Sequence, residues 1–350
     1  MDAGIYFALL RFEESALGLK TALKLDVVDR IGDKATSLGE FASMFEFTPQ
    51  GARTFSNLLC ALKILERASD AGGSFRLTEL AQHSLGNDGS SSRKPYLSMG
   101  PSEDVTAFIE MLRGNFEDLP LYGTKSAEPT LMDTEAAREI SIGLSSRARN
   151  FATPLAAAIH PHSQNVKIIA DVGAGSPYVA DACLKLMPNL TKAILVDQAN
   201  GMQFVKEIAG EIGCDFSKLE FCEQNFFDSV PNADLYCLSN TAHDWLTDEY
   251  RAIMKNIRDS ISDDGVVCIH EPILISQWQS NEEWMKALWM ACYATTLFKL
   301  CHGKGTCYTR EEHDAVMRSS GFEPIGAPVE TNDGCTALFY EVGSRQGAWL

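Results

Sequence analysis

The residue of this sequence best suited to proton transfer is His243, which stands in the stretch LSNTAHDWLTDEY, Leu238 to Tyr250. An imidazole has a pKa of about 6.5, so it can accept a proton from a hydroxyl near neutral pH. His243 follows a predicted strand, and the carboxyl ends of strands are where α/β proteins place ligand-binding side chains. A histidine in this place could therefore act as a general base. The alternative is a histidine that only satisfies the end of a strand.

A second group of chemically useful residues lies in DVGAGSPY, Asp171 to Tyr178. Gly173 and Gly175 allow the backbone to pass close to a ligand at the start of the next helix. The following strand, AILVDQ, ends in Asp197, where a carboxylate can accept hydrogen bonds from ribose hydroxyls. The combination fits both NAD and S-adenosylmethionine, and ordinary strand-to-helix turns are the alternative. Pro177 suits a first helical turn but not the third glycine of a dinucleotide site.

An alternation of apolar runs and helical segments begins at Val166 and would position these residues. Five runs are typical of strands buried on both faces: VKIIADVGA, KAILVDQ, LEFCEQ, ADLYCLSNT and GVVCIHEPIL. The helical segments between them predict an α/β fold with a doubly wound, Rossmann-like parallel sheet. EPIGAPVE and CTALFYEV are joined by a short connection, so they predict an antiparallel C-terminal hairpin at one edge of the sheet.

The first part of the chain is helical and predicts a winged helix. Ser37 or Thr36 is a candidate N-cap, Thr48-Pro49 opens the helix GARTFSNLLCALKILER, and SDAGGSFRLTEL is typical of a small β-wing. A helix that reads DNA carries polar and basic residues at its N-terminal end. This one has only Arg53, Lys63 and Arg67 among many apolar residues. The prediction is therefore a dimerisation domain, with no nucleic acid as partner.

Composition excludes several classes of function. The 350 residues carry a formal net charge of -17, which disfavours binding to nucleic acid or to anionic membranes. No apolar run is long enough to span a membrane, and no basic segment precedes the short apolar run at the N-terminus, so we expect a cytoplasmic protein without a signal peptide. The ten cysteines include no C-x-x-C pair, which predicts reduced thiols and no metal site.

These motifs resemble the plant-type small-molecule O-methyltransferases, typified by caffeic acid O-methyltransferase, and their bacterial relatives. The most specific match is H-D-W after the fourth strand followed by an acidic pair, here His243-Asp244-Trp245 and Asp248-Glu249. DVGAGSPY is similar to the family's D-V-G-G-G-x-G, with Ala174 and Pro177 as departures. The resemblance covers nearly the whole chain, and it favours S-adenosylmethionine over NAD as cofactor.

The resemblance implies three regions and a homodimer. Residues 1–100 would form the winged-helix dimerisation domain, residues 101–162 a helical connector that contributes to the substrate pocket, and residues 163–350 the S-adenosylmethionine-binding domain. The cofactor-binding residues that it implies are Asp171, Gly173, Gly175, Asp197, Gln198, Asn225, Phe226 and Ser239. Asn225 replaces an acid that contacts the adenine amine and can still accept a hydrogen bond from it. Ser239 stands where the family often has a lysine.

For the acceptor, the resemblance gives His243 as catalytic base and Glu271 as one of two acids that orient it. Aligning HGKGTCYT with the family's G-G-K-E-R-T places Cys307 at the second acid, which is therefore missing. Residues that would contact the acceptor are Arg147, Arg149, Trp289 and His302. An arginine in this helix favours a small, carboxylate-bearing acceptor, although solvent-exposed arginines on an acidic protein are the alternative.

Several reactions remain open on these residues. O-methylation assisted by His243 is favoured because that histidine is intact. S-methylation of a thioether acid needs no base, and the family includes bacterial S-methyltransferases that act on 4-methylthio-2-hydroxybutyrate in dimethylsulfoniopropionate synthesis. C-methylation is a distant third. The alternative that is not an enzyme is a non-catalytic winged-helix regulator.

Overall fold

A computed structural model of the chain describes residues 4–68, 73–86, 94, 103–116 and 134–343. Its α-helices are α1 (Gly4–Lys24), α2 (Val27–Ile31), α3 (Leu38–Phe45), α4 (Pro49–Ala61), α5 (Glu79–Leu85), α6 (Glu103–Leu112), α7 (Thr134–Ile159), α8 (Tyr178–Leu186), α9 (Ala199–Glu211), α10 (Thr247–Ser260), α11 (Asn281–Leu300) and α12 (Arg310–Ser319). Its strands are β1 (Leu65–Arg67), β2 (Phe75–Leu77), β3 (Ile168–Val172), β4 (Lys192–Asp197), β5 (Leu219–Glu223), β6 (Ala233–Ser239), β7 (Ile261–Glu271), β8 (Phe322–Glu330) and β9 (Thr336–Val342). Short 3-10 turns cover His160–His162 and Ala242–Asp244. None of the helices in the described ranges combines the length and hydropathy needed to cross a membrane.

The chain divides into two compact units. The first unit consists of Met1–Leu121 together with Leu274–Cys307, so α11 packs with the N-terminal helices. The second unit consists of Tyr122–Ile273 together with Tyr308–Leu350. The predicted boundaries at residues 100 and 162 stay predictions.

Helix starts in the first unit follow local sequence signals. Ser37 caps α3 as predicted: its Oγ accepts the N–H of Glu40 at 3.2 Å, and a Glu40 carboxylate oxygen accepts the N–H of Ser37 at 2.8 Å. This reciprocal capping box satisfies two backbone donors that a bare helix end leaves unpaired. Thr48 caps α4 by a single bond, in which its Oγ1 accepts the N–H of Gly51 at 3.0 Å, and Pro49 stands in the first turn, where a missing N–H is not needed.

The first unit encloses its own apolar core. Its aromatic centre packs edge-to-face and tilted, at ring distances of 5.0–6.2 Å, and comprises Phe41, Phe45, Phe47, Phe55 and Phe108. After α4, the short strands β1 and β2 pair antiparallel, with Leu65 opposite Leu77. Helix, helix and a small antiparallel pair occur in the predicted order, but the second helix ends at Ala61, and β1 lies in the segment predicted as the end of that helix. The dimerisation role of this unit stays a prediction.

The second unit is built on a seven-stranded sheet with the order β5-β4-β3-β6-β7-β9-β8. The first five strands of that order run parallel, and β9 pairs antiparallel with both β7 and β8. The predicted α/β sheet with an antiparallel C-terminal hairpin is thus confirmed. The chain reverses direction across the sheet between the neighbours β3 and β6, and ligands of open α/β sheets bind at such a switch point.

Both faces of this sheet are buried. Alternate residues of each strand enter two separate apolar clusters, so that Cys237 and Cys268 pack on one face and Tyr236 and Val267 on the other. Burial on both faces explains why the strands are continuous apolar runs in the sequence rather than alternating patterns. The long helix α7 packs on the first of these faces. The second face packs on α10 and α12.

Candidate active site

The loop that connects β3 to α8 requires glycine at two positions. Gly173 and Gly175 have φ of 71° and 54°, in the left-handed region that other residues rarely adopt. A Cβ at Gly173 would lie 2.7 Å from the Thr241 side chain, and one at Gly175 would lie 2.7 Å from Leu144. Pro177 is the N-cap of α8, one position before the first helical residue, so the proline-started helix is confirmed to within one residue. The loop therefore needs glycine for its left-handed backbone and for its close packing against Thr241 and Leu144.

Two carboxylates flank the loop, near the ends of β3 and β4. Asp197 accepts the N–H of Gly175 at 2.8 Å and that of Gln198 at 2.7 Å. Asp171 is buried, and its Oδ2 has no hydrogen-bond partner among the residues that the structure describes. Burial, with a smaller contribution from the negative charge of Asp197, raises the pKa of Asp171 to about 8. Asp171 is therefore largely protonated at neutral pH, and a cation beside it would favour its ionised form.

The short turn Ala242–Asp244 brings His243 to Glu271, the last residue of β7. The Nδ1 atom of His243 lies 2.6 Å from Oε2 of Glu271, and both side chains are buried. The other oxygen of Glu271 accepts the backbone N–H groups of Thr241 at 2.8 Å and Ala242 at 2.7 Å. Because an ionised carboxylate only accepts, His243 carries a proton on Nδ1 and its Nε2 is the atom that can take another.

Opposing charges set the ionisation of His243. Burial acts to lower the pKa of His243, but the negative charges of Glu271 and Asp244 outweigh it, and the pKa is raised. The charge of Arg147 acts in the opposite direction and lowers it. For Glu271, burial acts to raise the pKa, but the His243 charge and hydrogen bond prevail, and the pKa is lowered. Glu271 is thus ionised, and its charge makes His243 a stronger base than a free imidazole.

A second polar group lies on the other face of β7. His270 precedes Glu271 in the strand, so the two side chains point to opposite faces. The His270 Nδ1 atom lies 2.9 Å from Ser239 Oγ, and its Nε2 atom lies 2.8 Å from Thr331 Oγ1. Thr331 Oγ1 donates to Asp333 Oδ1 at 2.6 Å. The group therefore links the end of β6 to the turn between β8 and β9.

Arg147, on α7, completes this second polar group. Its Nη2 atom lies 3.4 Å from Asp333 Oδ2 and 3.1 Å from Cys335 Sγ. Burial acts to raise the pKa of Asp333, but His270, Thr331 and Arg147 lower it well below its usual range. The potential metal-ligating atoms of His270, Asp333 and Cys335 lie within 4.8 Å of one another. The guanidinium of Arg147 lies against this cluster and supplies a positive charge there. Burial raises the pKa of the Cys335 thiol, so the thiol stays protonated.

A family model described as an O-methyltransferase domain matches residues 106–323. The chain belongs to this O-methyltransferase family. A 3-O-methylredipecamine 2-O-methyltransferase of Carapichea ipecacuanha is 26% identical over 283 residues, which are 76% of this chain and 74% of that protein.

Two solved structures show the same methyltransferase fold. One is an O-methyltransferase family 2 protein from Planctomyces limnophilus in complex with apigenin, which is 22% identical with a TM-score of 0.82 over 98% of this chain and 96% of that chain. The other is human N-acetylserotonin methyltransferase in complex with SAM, which is 18% identical with a TM-score of 0.54 over 98% of this chain and 99% of that chain. The chain is thus a methyltransferase by family and by fold.

The remaining cofactor residues predicted for the methyltransferase lie after successive strands. Gln198 is the N-cap of α9, directly after β4. Asn225 follows β5, and its side-chain oxygen accepts the N–H of Phe227 at 3.1 Å. Phe226 is buried with its ring edge-on to Trp245, at 5.8 Å between centroids. Because parallel strands end at one edge of the sheet, these positions share that edge with the glycine loop, while their contacts with a cofactor stay predictions.

The residues predicted to contact the acceptor fall into two groups. Arg147 belongs to the polar group of the second unit, whereas Arg149 is exposed, with its Nε atom 3.2 Å from the hydroxyl of Tyr178. Trp289 and His302 lie in the first unit, where Trp289 stacks on Tyr293 at 6.0 Å and His302 stacks on a phenylalanine, Phe116, at 5.7 Å. Their part in binding an acceptor stays a prediction.

Cys307, which aligns with the absent second acid, and Tyr308, which aligns with the arginine that follows it in the family's G-G-K-E-R-T, are both buried. Cys307 packs in the first unit with apolar residues that include Met290. Tyr308 lies in the second unit and donates its hydroxyl to the backbone oxygen of Trp245 at 2.7 Å. The Tyr308 hydroxyl thus fixes the backbone of the H-D-W turn at Trp245. The acid that orients His243 is Glu271.

Sequence reasoning missed His270, Thr331, Asp333 and Cys335. The residues that meet in this group are far apart in the chain, and Arg147 and Asp333 are 186 positions apart. The available signals were weak: a histidine directly before Glu271, and an N-D-G turn between two predicted strands. Neither signal indicates that the turn meets an arginine of α7.

Proposed function

We propose that this enzyme transfers the methyl group of S-adenosylmethionine to a hydroxyl oxygen of a small acceptor, with His243 as general base. The observation that carries the proposal is the buried His243–Glu271 pair, at 2.6 Å. As the oxygen–carbon bond forms, the hydroxyl proton passes to Nε2 of His243, and Glu271 stabilises the imidazolium. Asp244, whose Oδ1 atom lies 3.5 Å from that nitrogen, adds to this stabilisation.

The residues around the glycine loop fit S-adenosylmethionine, which supplies an electrophilic methyl on a sulfonium. The partnerless oxygen of buried Asp171 suits a cationic ligand, and such a ligand would shift that carboxyl toward its ionised form. The two glycines allow the left-handed loop that would bring backbone groups to the methionine part of the cofactor. Asp197 is held by two backbone N–H groups with lone pairs left for ribose hydroxyls, and Asn225 can accept from the adenine amine.

We propose that an anionic group of the acceptor binds to the guanidinium of Arg147. Its charge lowers the pKa of His243, so the guanidinium lies within electrostatic reach of the base. Guanidinium and carboxylate form the strongest planar ion pairs available to side chains. Arg149, exposed beside Tyr178, is the less favoured partner. A small hydroxy acid is therefore the acceptor that these residues support best.

S-methylation of a thioether acid such as 4-methylthio-2-hydroxybutyrate is the second candidate. A thioether sulfur has no proton to lose, so the replacement of the second acid by Cys307 would carry no cost. The buried His243–Glu271 pair favours O-methylation, because a sulfur acceptor gives such a pair no proton to take. C-methylation has no supporting contact among the described residues.

A DNA-binding regulator is a poor fit to the first unit. Arg53 donates to Thr306 Oγ1 at 2.8 Å, and Lys63 lies 4.0 Å from the ring centre of Trp284. Arg67 donates to Asn57 Oδ1 at 2.9 Å. The basic residues of the second helix and its end are thus engaged within the unit rather than presented as a basic surface.

The first test is a His243→Ala variant assayed on phenols, hydroxy acids and thioether acids, with His83→Ala, an exposed histidine of α5, as matched control. We expect His243→Ala to lose about 10²–10⁴-fold in kcat on the hydroxyl acceptor and His83→Ala to lose nothing. Retained activity on a thioether acid would replace O-methylation by S-methylation. Calorimetric titration with S-adenosylhomocysteine checks the enzyme itself, and a Kd weaker than about 1 mM would count against it.

We also propose a homodimer formed through the first unit, in which Leu80 is an exposed large apolar side chain at 63%. A single exposed apolar residue is normal on a protein surface, so the support for a homodimer is the resemblance to the O-methyltransferase family and the apolar N-terminal helices. Sedimentation velocity checks this proposal: a homodimer has twice the 38.4 kDa mass of the chain, and a single species at the monomer mass would contradict it.

A further inference from the structure

We infer that Asp333 is a positioning residue of the acceptor site: it holds Arg147 in reach of His243 and so determines the preference for carboxylate-bearing acceptors. The inference rests on the proposed role of Arg147 as partner of the acceptor's anion. It concerns the turn between β8 and β9, which is separate from the glycine loop and from the H-D-W turn.

The turn is docked on α7 at neighbouring positions. Arg147 meets Asp333, and Asn332 donates its side-chain N–H to the backbone oxygen of Asn150 at 3.0 Å. Positions 147 and 150 lie on one face of a helix, three residues apart. One turn further, the ring of Phe151 lies 4.9 Å from that of His270. The contacts fix the turn against the helix segment that carries Arg147.

Asp333 is itself held firmly by its first oxygen. Oδ1 accepts from Thr331 Oγ1 at 2.6 Å and from the N–H of Cys335 at 3.3 Å, and His270 Nε2 lies 3.6 Å away. Its second oxygen, Oδ2, faces Arg147. The Asp333 side chain is 8% exposed, whereas that of Arg147 is 29% exposed. A long, partly exposed side chain is thus tethered to a buried, fixed carboxylate.

The series of hydrogen bonds from Ser239 through His270 and Thr331 can be donated in one direction, toward Asp333. Ser239 donates to His270 Nδ1, His270 donates from Nε2 to Thr331, and Thr331 donates to Asp333. An imidazole with a proton on Nε2 and a lone pair on Nδ1 satisfies every link in this direction. Hydrogen bonds aligned in one direction strengthen one another, which keeps Asp333 ionised as an anchor for a cation.

This arrangement has a functional consequence beyond packing. An arginine tethered before the acceptor arrives loses less side-chain freedom on binding a carboxylate, and a displacement of about 1 Å in a positioning group can cost about 10²-fold in rate. A salt bridge that only stabilised the fold would affect all acceptors alike. A positioning role affects acceptors that carry an anion.

The test measures binding of 2-hydroxybenzoate and of its neutral amide, 2-hydroxybenzamide, to the full chain saturated with S-adenosylhomocysteine. The variants are Arg147→Gln, Asp333→Asn and Asn332→Ala, with Asp264→Asn as a charge-matched control at the opposite end of β7. Asn332 is exposed, so its truncation loosens the turn without removing a charge or disturbing the core. We expect the wild type to prefer the acid, Arg147→Gln to lose the preference, and Asp333→Asn and Asn332→Ala to reduce it about 3- to 10-fold.

A second readout separates positioning from simple electrostatics: the His243 ionisation, followed by NMR titration of the imidazole C–H protons. Arg147→Gln removes a charge that lowers the His243 pKa, so that pKa rises. If Asp333→Asn releases Arg147 from its position, the His243 pKa also rises. If Asp333 acts only as a nearby negative charge, its removal lowers the His243 pKa.

The possible failures are distinguishable. Equal binding of acid and amide by the wild type would overturn the proposed anion site at Arg147, and the inference with it. Loss of the acid preference in Arg147→Gln, with the preference intact in both Asp333→Asn and Asn332→Ala, would overturn the positioning role alone. A fall of the His243 pKa in Asp333→Asn would also overturn that role. A reduced preference together with a raised His243 pKa supports it.

Discussion

At the scale of single residues, the chemistry of this enzyme depends on how three charges are balanced around His243. Oε2 of Glu271 lies 2.6 Å from Nδ1 of His243, and Oδ1 of Asp244 lies 3.5 Å from its Nε2. Both negative charges raise the pKa of the imidazole. The charge of Arg147 lowers that pKa. A base that is too strong is already protonated at working pH, whereas one that is too weak does not take the proton. In the proposed mechanism Arg147 thus has two tasks: it binds the anionic group of the acceptor and limits the basicity of His243.

The pKa of Asp171 is also raised, which for a carboxyl group favours the neutral form. We predict that Asp171→Asn gains stability relative to the wild type as the pH rises but binds S-adenosylhomocysteine more weakly. The folded pKa of about 8 exceeds the unfolded value, so the folded state binds more protons and its stability falls as the pH rises from about 4 to 8. Asparagine does not titrate, so its Tm relative to the wild type should rise between pH 5 and pH 8 in ligand-free protein. Differential scanning calorimetry at the two pH values measures this change, with Asp264→Asn as control.

The same Asp171→Asn variant should bind S-adenosylhomocysteine more weakly, because an amide offers no negative charge to the ligand's ammonium group. We expect a Kd about 10-fold higher by calorimetry. A stability difference that does not change between the two pH values would contradict the protonated state of Asp171. Unchanged affinity would contradict its place in the cofactor site.

At the scale of elements, strand β7 separates the two polar groups. Its last residues, His270 and Glu271, point to opposite faces, so one strand end supports both the base and the anchor of Arg147. The glycine loop after β3 is the other element on which the site depends. Its left-handed conformation at Gly173 and Gly175 is the feature on which the proposed cofactor site rests.

We predict that Gly175→Ala impairs cofactor binding while Gly210→Ala does not. At φ of 54° an alanine costs about 1–2 kcal/mol, and its Cβ must also displace the end of the Leu144 side chain. Gly210 lies inside helix α9 with nothing within 4 Å of an added Cβ, so alanine there should stabilise the helix slightly. Titration with S-adenosylhomocysteine should give a Kd at least about 10-fold higher for Gly175→Ala alone. Equal Kd values would show that the loop geometry is not needed.

At the scale of the whole molecule, the sequence predicts what depends on local pattern. The five parallel strands, the C-terminal hairpin, the capped start at Ser37 and the glycine loop are confirmed, because each rests on periodicity, turn chemistry or a cap. The edge strand β5 is only partly buried, in contrast to its predicted burial on both faces. The docking of the β8–β9 turn on α7 was not predicted, since it joins residues 186 positions apart through side chains that have no local signature. The packing of Leu274–Cys307 with the N-terminal helices is equally non-local.

The missing second acid shows a different limit of sequence reasoning. The sequence places Cys307 where the family has an acid, but it does not show whether Glu271 alone can hold His243. In the structure, Glu271 accepts two backbone N–H groups with one oxygen and meets the imidazole with the other. The remaining acid is therefore positioned by the backbone and does not depend on a second carboxylate.

The pH dependence of kcat/KM on the hydroxyl acceptor tests the central claim, that His243 held by Glu271 removes the acceptor's proton. His243 must be neutral to act as base, and its pKa is raised, so the rate should fall with decreasing pH along a limb centred above about 6.5. Glu271→Gln removes a charge that raises this pKa, so the limb should move to lower pH and kcat should fall about 10²–10⁴-fold. A profile that stays flat down to pH 5, or a Glu271→Gln variant with unchanged rate and unchanged limb, would contradict the account.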